Sequence, residues 1–147
     1  MKIGDTIDVS VTDLSRTGEG IAGVDGYYVE IAKGIPGDIL RVKLISKKRN
    51  RFKGIILEIL DESFKSVSPV CPHFWECGSC SLQRLNYSDQ IKFKKQRVYD
   101  SLKHISDLPD IEVYPSDDLF RYRNKMEYSF SDRIVHCDEK SGIINSI

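Results

Sequence analysis

Ile35-Pro36-Gly37-Asp38-Ile39-Leu40-Arg41-Val42-Lys43-Leu44 reads as a turn running into a strand, and that reading decides the class of the fold. Pro36 sets φ for the first central position of a type II turn, and Gly37 accepts the positive φ demanded at the second. Leu40, Val42 and Leu44 then alternate with polar neighbours, the period of a half-buried strand. The pattern continues outward in both directions. Ile7, Val9 and Val11 alternate in the same way, and Tyr27 to Ile31 and Phe52 to Leu60 are rich in β-branched and aromatic residues. Thr17-Gly18-Glu19-Gly20 and Val24-Asp25-Gly26 supply further turn signals. Short strands at this spacing predict a small closed β-barrel over residues 1–62.

The remainder, 63–147, reads differently, so the fold class is mainly β with an α+β second part. Ser63 to Pro72 carries prolines and serines with weak periodicity and reads as a linker. After a cysteine-rich loop, Ser88-Asp89-Gln90 offers a helix start. Ile91, Val98, Leu102 and Ile105 recur at helical spacing, with Lys92, Lys94, Lys95 and Arg97 on other faces, which predicts one basic amphipathic helix ending near His104 or Ser106. Asp107 to Asp118, with Pro109 and Pro115, reads as an irregular acidic connection, and Lys125 to Phe130 as the start of a strand in an incomplete central domain.

Charge does not favour nucleic acid overall, because 22 basic side chains balance 22 acidic ones among 147 residues. Their placement does. Arg41, Lys43, Lys47, Lys48, Arg49, Arg51 and Lys53 lie in a stretch without an acid, while the acids gather in the later connection. No apolar run approaches the roughly 18 residues of a membrane span, and the Met-Lys-Ile-Gly start lacks a signal peptide's apolar region, so the chain is expected in the cytoplasm with no membrane partner.

Four cysteines in a cytoplasmic chain are not expected to form structural disulfides. Cys71, Cys77 and Cys80 stand as C-x5-C-x2-C, and Gly78 lets the backbone fold tightly around the close pair. Three soft ligands in one loop point to a metal. On spacing alone zinc and an iron–sulfur cluster are evenly matched, since His73 could complete a Cys3His site. Cys137 is the one further cysteine available as a fourth ligand.

The run from Cys71 through Leu85, Cys-Pro-His-Phe-Trp-Glu-Cys-Gly-Ser-Cys-Ser-Leu-Gln-Arg-Leu, followed by Tyr87, Gln90 and Lys92, resembles the cluster segment of the bacterial [4Fe-4S] uracil-C5 RNA methyltransferases. Thr17 to Ala22 and Ile35 to Asp38 resemble the paired signatures of the TRAM domain, the RNA-binding barrel that starts those enzymes. Tyr122-Arg123-Asn124-Lys125-Met126-Glu127-Tyr128-Ser129-Phe130 resembles the opening of their central domain. The resemblance implies a five-stranded OB-like TRAM barrel, a [4Fe-4S] cluster on Cys71, Cys77 and Cys80, and a fourth ligand that in the family lies farther along than Cys137. It also implies an S-adenosylmethionine-binding catalytic domain in the full-length enzyme. No Gly-rich cofactor motif or proline-flanked nucleophilic cysteine is found here, so the catalytic domain is expected to be absent and this chain inactive by itself. A separately encoded catalytic partner is one way to complete it; a stand-alone RNA-binding Fe–S or zinc module is the alternative.

The implied partner is RNA, rRNA ahead of tRNA. Lys47, Lys48, Arg49, Arg51 and Lys53 are expected to neutralise phosphates, with Phe52 stacking on an unpaired base. Arg121, Arg123 and Lys125 form a second basic group, of which Arg123 is expected nearest the target uridine.

Overall fold

The structure is a computed structural model; it describes residues 1–105, 108–122 and 124–125, and the backbone alone of 135–137 and 144–146. Six strands, β1 (Thr6–Ser10), β2 (Asp13–Leu14), β3 (Gly20–Val24), β4 (Tyr27–Ile31), β5 (Ile39–Lys48) and β6 (Arg51–Asp61), make one sheet in the order β1-β5-β6-β4-β3-β2. All neighbours are antiparallel except β4 and β6, which run parallel. The sheet curls onto itself where β1 ends. Val11 N–H donates to the Asp38 carbonyl at 2.9 Å, and Thr12 N–H donates to the Ile21 carbonyl of β3 at 2.9 Å, so consecutive residues join opposite sides of the barrel.

The turns obey the sequence closely. Asp25 and Gly26 both have positive φ, 50° and 77°, the two-residue turn whose twist suits the β3–β4 hairpin. Asp38 N–H donates to the Ile35 carbonyl at 3.1 Å, and Gly37 has φ of 100°, as the Pro-Gly pair requires. The expectation of five strands needs correction. Asp13–Leu14 adds a short sixth strand, and β3 begins inside the glycine-rich segment, because Gly20 permits an approach no other residue would. A Cβ there would meet the Gly34 carbonyl oxygen at 2.8 Å.

Inward side chains of alternate positions, Val9, Val11, Ala22, Val29, Ile31, Leu40, Val42, Leu44 and Phe52, form the barrel core. A second cluster of Leu14, Ile35 and Leu85, flanked by Leu82 and Phe93, joins the barrel to the cysteine loop and the helix. Residues 63–72 therefore do not run free. Ser63 is buried, its hydroxyl donates to the Pro36 carbonyl at 2.7 Å, and Val67 N–H donates to the Arg84 carbonyl at 2.7 Å.

Helix α1 spans Tyr87–Leu102. Its cap is Asn86 rather than Ser88, because the Asn86 side-chain oxygen accepts the Asp89 N–H at 3.0 Å, three residues on. The same amide donates to the Lys65 carbonyl at 3.3 Å and to the Asp89 carboxylate at 2.7 Å. The amide's bond to Asp89, followed by the Lys92 ammonium, holds that carboxyl below its usual range. Asn86→Ala is expected to lower stability by about 1 kcal/mol, seen as a fall of roughly 2–4 °C in thermal midpoint, whereas Asn86→Ser keeps a capping oxygen without facing Asp89 with a second carboxylate and loses less.

Of the expected apolar stripe, Ile91 and Leu102 are half-buried, Val98 is exposed and Ile105 lies exposed past the helix end, while Phe93, off that stripe, packs on the second cluster. The acidic connection is irregular, as expected, yet it is tied back along the helix. Asp110 accepts from Lys95 Nζ and from the Tyr99 hydroxyl, both at 2.8 Å, and Ser116 N–H donates to the Tyr87 hydroxyl at 2.8 Å. Farther on, β7 (Val135–Cys137) and β8 (Ile144–Ser146) pair antiparallel. The strand expected from Lys125 to Phe130 lies, beyond Lys125, outside the described residues.

Candidate functional site

The long strands β5 and β6 carry the basic stretch to a hairpin tip at Arg49 and Asn50, flanked by the pair Lys48↔Arg51. Arg49 has φ of 56°, the left-handed region that glycine occupies without cost and arginine does not. Its side chain and those of Lys48 and Lys53 are exposed and have no ionic or hydrogen-bonded partner among the described residues. Arg51 is shared: one guanidinium nitrogen lies 2.7 Å from Glu30, and its side chain is 60% exposed.

Two of the predicted RNA residues point elsewhere. Phe52 is fully buried in the barrel core, edge-on to Tyr27 at 5.4 Å between centroids, so it cannot stack on a base. Strand alternation turns it inward between the outward Arg51 and Lys53. Lys47 bends over that aromatic pair, its ammonium 4.6 Å from the Tyr27 ring centre and 4.9 Å from that of Phe52. In the second basic group, Arg121 is exposed with φ of 62°, Lys125 is exposed, and Arg123 lies outside the described residues.

The cysteine loop is shaped by its own backbone. Phe74 N–H donates to the Cys71 carbonyl at 3.1 Å, and Cys77 N–H donates to the His73 carbonyl at 2.8 Å. Cys71 is half-buried, Cys77 and Cys80 are exposed, and all three are free thiols. Bonding to Ser79, whose N–H donates to Cys77 Sγ at 3.5 Å, together with the Lys33 ammonium, holds the Cys77 thiol below its ordinary range. His73 faces Glu76 at 3.7 Å instead of the cysteines, and among the described residues no three His, Cys, Asp or Glu side chains converge tightly enough for one metal ion. The backbone of Cys137 lies in the β7–β8 pair, and its side chain is outside the described residues.

One contact of the loop is not visible in the motifs. Arg84, 1% exposed, donates to both oxygens of Asp38, fully buried in the Pro-Gly turn, at 2.9 and 3.3 Å. It also reaches the Lys33 carbonyl at 3.1 Å and Glu62 at 3.1 Å, and lies over the Trp75 ring at 5.4 Å. The Asp38 carboxylate accepts two backbone N–H groups besides, from Ile35 at 3.1 Å and Ser63 at 3.0 Å. Lys33 reaches across in return, donating to the Trp75 carbonyl and covering the Phe74 ring. The only signal of this in the sequence is a charged residue placed between Leu82 and Leu85.

Residues 1–57, which carry the curled sheet and both of these turns, match the TRAM domain family. Over most of its length the chain is similar to proteins named as RNA methyltransferases. Over 132 residues, 88% of its length, it is 34% identical to an uncharacterized RNA methyltransferase of Halalkalibacterium halodurans, and over 133 residues 35% identical to one from Thermosynechococcus vestitus. It spans 29% and 30% of those two relatives. Its fold resembles part of the Pyrococcus abyssi tRNA (uracil-54, C5)-methyltransferase, with a TM-score of 0.51 at 23% identity over 76% of this chain and 24% of that one. No helix among the described residues is long and apolar enough to cross a membrane.

Proposed function

We propose that this chain is the RNA-recognition portion of an S-adenosylmethionine-dependent RNA uracil-C5 methyltransferase that acts on structured rRNA. The observation that carries the reading is the β5–β6 tip, where Lys48, Arg49 and Lys53 are held out on a TRAM barrel without partners among the described residues. Cations left unpaired on a rigid hairpin match the spaced negative charges of a phosphate backbone. The relatives' names supply the methyltransferase class, and the Tyr122 to Phe130 run supplies the uracil-C5 assignment. Methyl transfer belongs to a catalytic domain carried elsewhere in a longer protein or encoded separately. Arg121, Arg123 and Lys125 complete the RNA surface near the target uridine.

Filter binding to an rRNA fragment and to tRNA across a salt series tests this. Affinity should fall linearly in log–log form as salt rises, with rRNA bound more tightly. Undetectable binding, or binding indifferent to salt, would overturn it.

The same reading assigns Cys71, Cys77 and Cys80 as ligands of a [4Fe-4S] cluster, with Cys137 or a cysteine beyond this chain as the fourth. Their free thiols in one loop, and the thiolate-favouring surroundings of Cys77, support it. Anaerobic reconstitution should give iron and sulfide in equal amounts, about four of each per chain. Cys77→Ser should bind less iron. Zinc without sulfide is the contrary result.

A further inference from the structure

With Phe52 inside the barrel, the basic tip of β5 and β6 lacks the aromatic that single-strand binding calls for. The outer face of the sheet supplies one at a residue the motifs leave unmarked. Tyr28 comes directly after Tyr27 on β4 and so points outward; it is 49% exposed. Backbone register fixes its neighbours. Gly23 of β3 pairs with Tyr28 on one side, Arg51 of β6 on the other, and Arg51 pairs in turn with Lys48 of β5. Paired residues share a face of the sheet, so Gly23, Tyr28, Arg51 and Lys48 form one row across it, about 5 Å apart from strand to strand.

The row has the shape of a nucleotide platform. A Cβ added at Gly23 would meet nothing within 4 Å, so one flank of the tyrosine is open and flat. The opposite flank holds Lys48 and Arg51, the latter shared at 2.7 Å with Glu30, two residues along from Tyr28, with Arg49 and its strained backbone at the adjoining tip. Tyr28 N–H donates to the Asn50 carbonyl at 3.0 Å, which fixes the residue's main chain to that same turn. Its ring and hydroxyl have no partner among the described residues. Among the other exposed aromatics, the Tyr114 hydroxyl is bonded to Glu112 at 2.9 Å, Phe64 has the Lys65 ammonium over its ring at 5.7 Å, and Phe120 and Tyr122 flank Arg121 outside the sheet.

We infer that Tyr28 is a base-stacking platform for an unpaired nucleotide whose flanking phosphates are held by Lys48, Arg49 and Arg51. The inference rests on the RNA-binding reading and names the part of the RNA this face takes: a single-stranded segment, without sequence preference, since every base offers a π-face. Duplex RNA, whose bases are already stacked, gains nothing from the ring.

Binding of fluorescent oligouridylate and of a blunt RNA duplex to wild type, Tyr28→Phe and Tyr28→Thr across a salt series tests it, with thermal midpoints confirming folding. Tyr28→Thr should weaken oligouridylate by roughly 5- to 150-fold and leave its salt slope and the duplex affinity unchanged, because no phosphate contact is lost. Tyr28→Phe should bind as wild type does. In the unmodified chain, a 4-thiouridine oligonucleotide should crosslink to the peptide containing Tyr28. Equal oligouridylate affinity for wild type and Tyr28→Thr, or crosslinks confined to other peptides, overturns the platform and leaves the salt-dependent binding standing. If wild type binds neither RNA, both readings fall.

Discussion

Replacing Arg84 by methionine should destabilise the protein by about 3–5 kcal/mol, the cost of leaving a buried carboxylate without its cation. Methionine fills much of the arginine's volume, so the loss reports the guanidinium's polar contacts, chiefly to Asp38, more than its packing. Asp38 and Arg84 are both essentially inaccessible to water, and the guanidinium is the sole charged group donating to that carboxylate among the described residues. At roughly 2–4 °C per kcal/mol the thermal midpoint should drop by about 6–20 °C. Asp38→Asn in the Arg84→Met background removes the orphaned charge while keeping an acceptor for the Ile35 or Ser63 N–H, and should recover much of the loss. Arg41→Met is the contrast. Its partners Asp8 and Glu58 lie on the surface at 2.9 and 2.8 Å, and such pairs contribute little, so the midpoint should hardly move. A midpoint for Arg84→Met equal to that of Arg41→Met would show that the buried pair contributes nothing.

The second large effect concerns RNA. The triple substitution Lys48→Ala, Arg49→Gly and Lys53→Ala should lower the slope of log affinity against log salt by about 2–3, at roughly 0.7–0.9 per phosphate contact. Affinity near physiological salt should fall on the order of tenfold to a hundredfold. Arg49→Gly gives the test its edge. Glycine occupies the left-handed backbone at φ of 56° without strain, so that single change should hold or raise stability while binding falls. Opposite movements of stability and affinity cannot come from unfolding. A triple variant with the wild-type salt slope would mean that phosphates are met elsewhere on the barrel.

The barrel is legible in the sequence because its signals are local. Alternation in Leu40, Val42 and Leu44, and turn chemistry at Asp25-Gly26 and Pro36-Gly37, act within a few residues, and the chain has little freedom to disobey them. Phe52 misleads for the opposite reason. A lone aromatic among cations looks like a binding residue until strand parity is counted, and parity sends it into the core. The same count brings Tyr28 out. The Asn86 cap is hard to pick because Ser88 is also a good cap residue, and only the Asp89 N–H shows which oxygen is used. Asp38 and Arg84 lie 46 positions apart, and no pattern within a window could join them. The cysteine spacing points to a metal but not to which one; that His73 turns toward Glu76 is a matter of side-chain direction, which spacing does not encode.

The Asp38–Arg84 pair also limits how freely this barrel can be moved between proteins. A barrel severed after residue 62 and grafted onto another sequence would keep the aspartate and lose the arginine, and would bare Leu14 and Ile35 where Leu85 now covers them. The recipient would have to bring its own buried cation and its own apolar lid. Exchange of this barrel is therefore expected to carry the arginine-bearing segment with it, so that the unit of inheritance is larger than the unit of sheet.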